Sequence, residues 1–198
     1  MAAGQRARMM EETRAKLLLA ARNAFAEKGF AAASMDELTA AAGLTRGALY
    51  HNFGDKKGLL RAVLEQLDAE MVAKARAVGE RAATPWAGFL EECVAYIELA
   101  LEPEIQRIML LDGPAVLGDP SRWPGQTACL RATTETIQAL IDSGTLHPVD
   151  AEAAARLING AALDAALWVA AADEPRAVLP KAIEAFRCLA SGLLRNEV

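Results

Sequence analysis

Residues 34–60 read "SMDELTAAAGLTRGALYHNFGDKKGLL". Ser34 followed three residues later by Glu37 is a capping box: the hydroxyl takes one orphan N–H of a new helix and the carboxylate reaches back. The helix so started runs through "LTAAA" and stops at Gly43, whose missing Cβ suits a tight turn. Thr45 then caps a second short helix, and Asp55 caps a third, much longer one, from about Lys56 to Val78. Two short helices joined by a glycine turn describe a helix-turn-helix. Leu38, Leu49 and Phe53 are placed to bury against Leu18 and Phe25 of the preceding helix. The 18, 21, 25 spacing there is amphipathic, and that helix is expected to end at Gly29.

With Leu49 and Phe53 turned inward at i, i+4, the other faces of the third helix carry Thr45, Arg46, Gly47, Tyr50 and His51. Arg46 can fork onto O6 and N7 of a guanine, and Thr45 and Gly47 sit where the helix tip meets base edges. Gly47 and Ala48 let the backbone approach closely. Tyr50 and His51 suit phosphate contacts, as does Lys56 at the next helix's N-terminus.

The charge distribution agrees. The net charge of −5 divides unevenly: residues 1–61 hold ten Lys/Arg against six Asp/Glu, and the remainder eleven against twenty. A basic third on an acidic body suits a polyanion at one end only. Of the 198 residues 53% are hydrophobic and only 5% aromatic, with few β-branched clusters, which predicts an all-α fold. Cys93, Cys129 and Cys188 with His51 and His147 make no metal-ligand spacing, so neither metal nor cofactor is expected. An enzyme or carrier built on a helical bundle is disfavoured too, since no nucleophile–base pair stands at a usable spacing. The N-terminus lacks the apolar stretch of a signal peptide, and the run "AALWVAAA" at 165–172 is far short of a membrane span. A cytoplasmic protein with no membrane partner is the expectation.

The chain divides into a flexible arm (1–10), a helix-turn-helix domain (11–60) and a helical regulatory and dimerisation domain (61–198). A further helix is expected from Pro85 to Leu101, then a Gly/Pro-rich loop over 112–126, then helices over 127–143, 150–172 and 180–195. Trp86, Phe89, Cys93 and Tyr96 form one apolar stripe with a polar tip. Met109, Trp123, Thr127 and Leu130 can enclose the same space, which suits a small apolar or amphipathic ligand, although such a stripe also makes an ordinary core. Asn159 and Asp164 interrupt an apolar helix and need a partner, a cavity or solvent. In the last two helices Gly160, Ala161 and Ala165 allow close helix approach. Ile183, Phe186, Ala190 and Leu193 keep a stripe, which together reads as a dimer interface.

The stretch around Gly43 also resembles the N-terminal DNA-binding domain of the tetracycline-repressor (TetR) family. The likeness covers residues 11–60: the alanine-rich helix before Gly43, then Thr45, Gly47, Leu49-Tyr50, Phe53 and Lys56 at the family's spacing. Gly54-Asp55 departs from it, since the family often has a less flexible residue before the cap. The resemblance implies a two-domain helical homodimer that binds a palindromic operator in double-stranded DNA, usually represses, and changes the separation of its reading helices on binding ligand. It implies DNA contacts at Ser34, Thr45, Arg46, Gly47, Tyr50, His51 and Lys56, with Arg6 and Arg8 of the arm adding minor-groove or phosphate contacts. A regulator of the same fold without a small-molecule inducer is the alternative.

Overall fold

Side-chain caps set most helix starts in the computed structural model, which describes residues 2–195. α1 (Ala2–Ala32) leads to α2 (Met35–Ala41), where the Ser34 hydroxyl accepts the Glu37 N–H at 3.1 Å. Thr45 caps α3 (Arg46–Phe53) by accepting from Ala48 N–H at 3.2 Å, and Asp55 caps α4 (Lys56–Gly79) by accepting from Gly58 N–H at 2.7 Å. Thr84 does the same for α5 (Pro85–Glu98), which tightens into a 3₁₀ turn at Leu99–Leu101. The second half of the capping box is weak, because the Glu37 carboxylate turns chiefly to the Lys28 ammonium at 3.0 Å and the Ser34 N–H lowers its pKa only slightly beside it. Gly54 closes α3 with φ of 78°, its N–H donating to the Tyr50 carbonyl at 2.9 Å. The departure from the family's pattern thus serves a left-handed turn that other residues adopt at a cost.

The arm expected over residues 1–10 is helical from Ala2 instead. Apart from Gly4 the segment consists mostly of helix formers, and Arg8 pairs with Glu12 one turn on at 3.2 Å. α1 kinks at Gly29 (φ 78°, ψ 164°) before its last residues.

The regulatory part continues with a π-helical segment (Ile105–Asp112), α6 (Gly113–Leu117), a 3₁₀ turn (Pro120–Arg122), α7 (Pro124–Asp142), α8 (Ala151–Ala171) and α9 (Pro175–Ser191). The expected loop over 112–126 therefore contains two helical pieces and the start of α7, with Pro114, Pro120 and Pro124 in first turns, where a missing N–H is cheap. α9 starts at Pro175 and takes Pro180 into its interior, which leaves the Arg176 carbonyl without its usual N–H donor. Among the described residues no strand forms, only a single antiparallel bridge between Leu146 and Leu194.

Leu17, Ala21 and Phe25 of α1 are fully buried against Leu38 and Leu49, so the inward position is Leu17, with Leu18 half-buried. That core runs on through Leu59, Leu60, Val63 and Leu67 of α4 to Ile105, Ile108 and Val169. α4 thus straddles the boundary expected at residue 60. A second cluster holds Phe89, Ile97, Ile137, Leu140, Ile158 and Phe186. α4 and α5 are pinched together where Gly79 meets Gly88: a Cβ on Gly79 would lie 2.6 Å from the Gly88 carbonyl oxygen. α8 has the length and composition of a membrane span, yet its Ala155, Ile158, Ala162, Ala166 and Val169 are core.

Candidate nucleic-acid interface and effector cavity

Thr45, Arg46, Gly47, Tyr50 and His51 lie exposed together on the outer side of α3, with Ser34 exposed at the start of α2. Behind them Leu49 is buried, and Phe53 carries the Arg14 guanidinium 4.7 Å above its ring. The reading helix is therefore held from within while its outer face stays open.

Two of the expected contacts are already engaged. Arg46 donates through Nε and Nη2 to both carboxylate oxygens of Asp36 across the turn. This pairing raises the pKa of Arg46 and lowers that of Asp36. Lys56 does not face outward as a phosphate ligand. Its Nζ donates to the Phe30 carbonyl, lies 3.4 Å from the Ala31 carbonyl oxygen and sits 4.4 Å over the Phe30 ring. Burial there lowers its pKa, with Asp112 opposing. An ammonium next to carbonyls left over at the end of α1 completes their hydrogen bonding. The exposed cation on this turn is its neighbour Lys57, which makes no ion pair among the described residues. The Lys-Lys doublet was the available sequence signal. Arg8 is exposed, and the Arg6 side chain lies outside the described residues.

A cavity of about 470 Å³ opens between α4, α5, α7 and α8. Of the expected ligand residues it brings together Phe89, Cys93, Tyr96 and Asn159. Glu65, Asp68, Val72, Glu92, Cys129 and Thr133, which sequence reasoning missed, complete much of the lining. Among its lining residues the small Ala69 of α4 and Ala128 and Ala132 of α7 are exposed. Polar groups order the floor: Thr133 Oγ1 donates to Asn159 Oδ1 at 3.1 Å, and Asn159 Nδ2 lies 3.7 Å from Cys129 Sγ. Burial pushes the carboxyls of Asp68 and Glu92 above their ordinary range. It pushes the Cys93 thiol up to about 12 and raises the Tyr96 phenol, the latter helped by the negative charge of Asp68.

The other expected ligand residues stand elsewhere. Trp86 packs tilted on Phe89, ring centroids 6.0 Å apart, and Met109 is buried in the first core. Thr127 and Leu130 fall off the face of α7 that Ala128, Cys129, Ala132, Thr133 and Thr136 present to the cavity. Asp164 is exposed on the outer side of α8. Trp123 lines an adjoining chamber of about 420 Å³ that shares Glu65, Asp68, Gly125 and Gln126 with the first. Its Nε1 is buried without an acceptor among the described residues.

Residues 17–63 match the family model described as bacterial regulatory proteins, tetR family, and residues 86–193 match the Tetracyclin repressor-like C-terminal domain. The chain belongs to the TetR family. A TetR-family transcriptional regulator of Pectobacterium atrosepticum, known from its crystal structure, is 49% identical with a TM-score of 0.88, over 96% of this chain and 98% of that one. The transcriptional repressor AcnR of Corynebacterium efficiens is 35% identical over 101 residues, 50% of this chain and 52% of AcnR. The transcriptional regulator TtgR of Pseudomonas putida is 32% identical over 100 residues, 50% and 48% of the two chains. The chain spans about half the length of these curated relatives. As a member of this family it is a DNA-binding transcriptional regulator.

Within this TetR-family regulator the two parts are clamped by charge. Arg22 of α1 binds Glu70 of α4 in a bidentate pair (2.7 and 2.8 Å) and Glu104 in another (2.5 and 2.7 Å). The Phe30 N–H donates to Asp112 Oδ2 at 2.6 Å, and Arg107 donates to the Lys28 carbonyl at 3.3 Å. The expected interface is partly internal: Phe186 and Ala190 are buried within the chain itself. Ala161, Ala165, Ile183 and Leu193 are half-buried, and Gly160 is exposed. The apolar side chains that do face outward are Leu157 (72% exposed), Trp168 (51%) and Leu189 (58%).

Proposed function

We propose that this TetR-family regulator is a repressor that binds a palindromic operator as a homodimer and is released by a small amphipathic ligand held in the cavity. The observation that carries the reading is the course of α4. It begins at Lys56, tied to the end of α1 beside the helix-turn-helix, and its next turns supply Glu65, Asp68 and Val72 to the cavity wall. One rigid rod of 24 residues, about 36 Å long at 1.5 Å per residue, joins the two sites. A ligand that binds one position of α4 better than another shifts the population of reading-helix positions. Leu157 and Trp168 of α8 and Leu189 of α9 stay exposed, and two copies meeting there about a two-fold axis form a four-helix seam. Such a dimer sets the reading helices about one DNA turn, roughly 34–36 Å, apart. The site of action is then the cytoplasm, where the operator is.

The test is selection of duplexes from a random DNA pool by the purified protein, with light scattering of the Trp168→Glu and Leu189→Glu variants. Enrichment of a palindrome, and monomers from both variants, are the expected results. An enriched site without two-fold symmetry, or a parent protein that scatters as a monomer, would overturn the homodimer, and variants that remain dimers would overturn this seam.

A further inference from the structure

Resting on that reading of the cavity, we infer that its ligand is a lipophilic cation: an aromatic or aliphatic body carrying one ammonium or a delocalised positive charge. The walls hold three carboxylates, Glu65, Asp68 and Glu92, and one cation, Arg76, while Arg61 and Arg122 line the adjoining chamber that shares Glu65 and Asp68. Asp68 and Glu92 are half-buried and, among the described residues, neither accepts a hydrogen bond nor joins an ion pair. The Asp68 carboxylate packs on the Gly125 backbone in the first turn of α7, and the charge of Arg76 acts on Glu92, but neither carboxylate has a direct hydrogen-bond or ion-pair partner, which a bound cation supplies. The same cavity is lined by two aromatic side chains, Phe89 and Tyr96, two turns apart on α5 with Glu92 and Cys93 between them. Carboxylate plus aromatic face is the surrounding that favours an organic cation over a neutral molecule of the same shape.

Tyr96 supplies a second sign. It is half-buried, its hydroxyl makes no hydrogen bond among the described residues, and it lines the cavity. Asp68 is close enough for its charge to act on that phenol. An ammonium seated between Asp68 and Tyr96 meets a negative charge, a ring and a hydroxyl acceptor at once. An anionic ligand meets three carboxylates. A neutral apolar ligand strips more water from Asp68 and Glu92 and gives nothing back. The volume of about 470 Å³ admits a three-ring molecule.

The test uses a matched pair on the full-length protein at pH 8.5: N-methylacridinium, a permanent cation, and acridine, neutral at that pH and nearly the same shape. Fluorescence titration is expected to show N-methylacridinium binding about tenfold or more tighter, the worth of one desolvated cation–π or charge contact. Asp68→Asn and Glu92→Gln are each expected to narrow that ratio while leaving acridine binding unchanged or tighter, with melting curves confirming that each variant folds. The two variants are independent, so one that fails to fold leaves the other. Equal binding of the two probes, or a ratio untouched by both variants, would overturn the cation while leaving the cavity as the effector site. Binding of neither probe removes the cation, and if neutral hydrophobic compounds also fail to bind or to release DNA, the effector cavity falls with it.

Discussion

Lys56→Met keeps the length of the side chain and removes only its ammonium. The structure puts that ammonium on the Phe30 carbonyl, at the end of α1, and over the Phe30 ring. A hydrogen bond from a charged donor contributes about 1.5–3 kcal/mol, and the low end applies to a half-buried group. An exposed cation–π contact adds about 0.5, giving about 2 kcal/mol in all. For a chain of this size each kcal/mol corresponds to about 2–4 °C, so Tm should fall by about 4–8 °C. DNA binding makes the discrimination sharper. Each phosphate neutralised contributes about 0.9 to the slope of log K against log salt concentration. Lys56 should contribute nothing to that slope, whereas Lys57→Met, exposed on the same turn, should flatten it by about one unit. Thermal melts and fluorescence-anisotropy titrations at several salt concentrations measure both quantities. A Lys56→Met protein with unchanged Tm and a slope smaller by about one would refute the assignment and return Lys56 to the phosphate backbone.

Asp36→Asn removes the carboxylate that occupies Arg46 and should raise affinity for DNA of any sequence in the same titration; a loss of affinity would mean that Asp36 positions Arg46 for reading instead of competing for it. Arg22→Met leaves Glu70 and Glu104 facing each other without their shared cation. It should cost about 2 kcal/mol in urea denaturation, between the ~0–1 of an exposed pair and the ~3–5 of a buried one. Asp68→Asn should stabilise the protein at neutral pH. Burial raises the folded-state pKa of Asp68, so its proton-linked stability is present below the ordinary value of 3.8 and is lost as pH rises through the raised one. The advantage of Asn should therefore shrink as pH falls towards 4, and Tm differences across that range check the sign.

What was legible in the sequence follows from locality. Ser34, Thr45 and Asp55 each take an N–H three residues on, a relation fixed by spacing alone, and the structure has all three caps. Gly43 and Gly54 have the positive φ angles that a turn or helix end uses. Periodicity says that a stripe is inward but not what it meets. Phe89 and Tyr96 reach a cavity while Met109, with the same apolar credentials, is core. Nothing in the sequence marks Asp68 and Glu92, and only the packing of α4, α5, α7 and α8 makes them cavity lining. Likewise Lys56 reads as a phosphate ligand until the end of α1, twenty-five residues earlier in the chain, is brought against it. Phe186 and Ala190 lie on the apolar side of α9 as expected, but that side is filled by the protomer itself, and Leu189 next to them is what remains outside.

The π-helical segment from Ile105 to Asp112 acts as a length gauge. Glu104 at one end holds Arg22, and Asp112 at the other holds the backbone of Phe30. The two grips are eight residues apart on both partners, α1 being a narrow coil with a kink and the segment a wide one. Their match depends on the winding of the wide coil. Deleting one residue between 105 and 111 turns Asp112 by roughly a quarter turn relative to Glu104, so both grips can no longer close together. A single-codon deletion there should be tolerated far less well than any substitution at an exposed position of the same segment, because it breaks the mesh between the helix-turn-helix part and the rest of the chain without touching the outer face of α3 or the cavity lining.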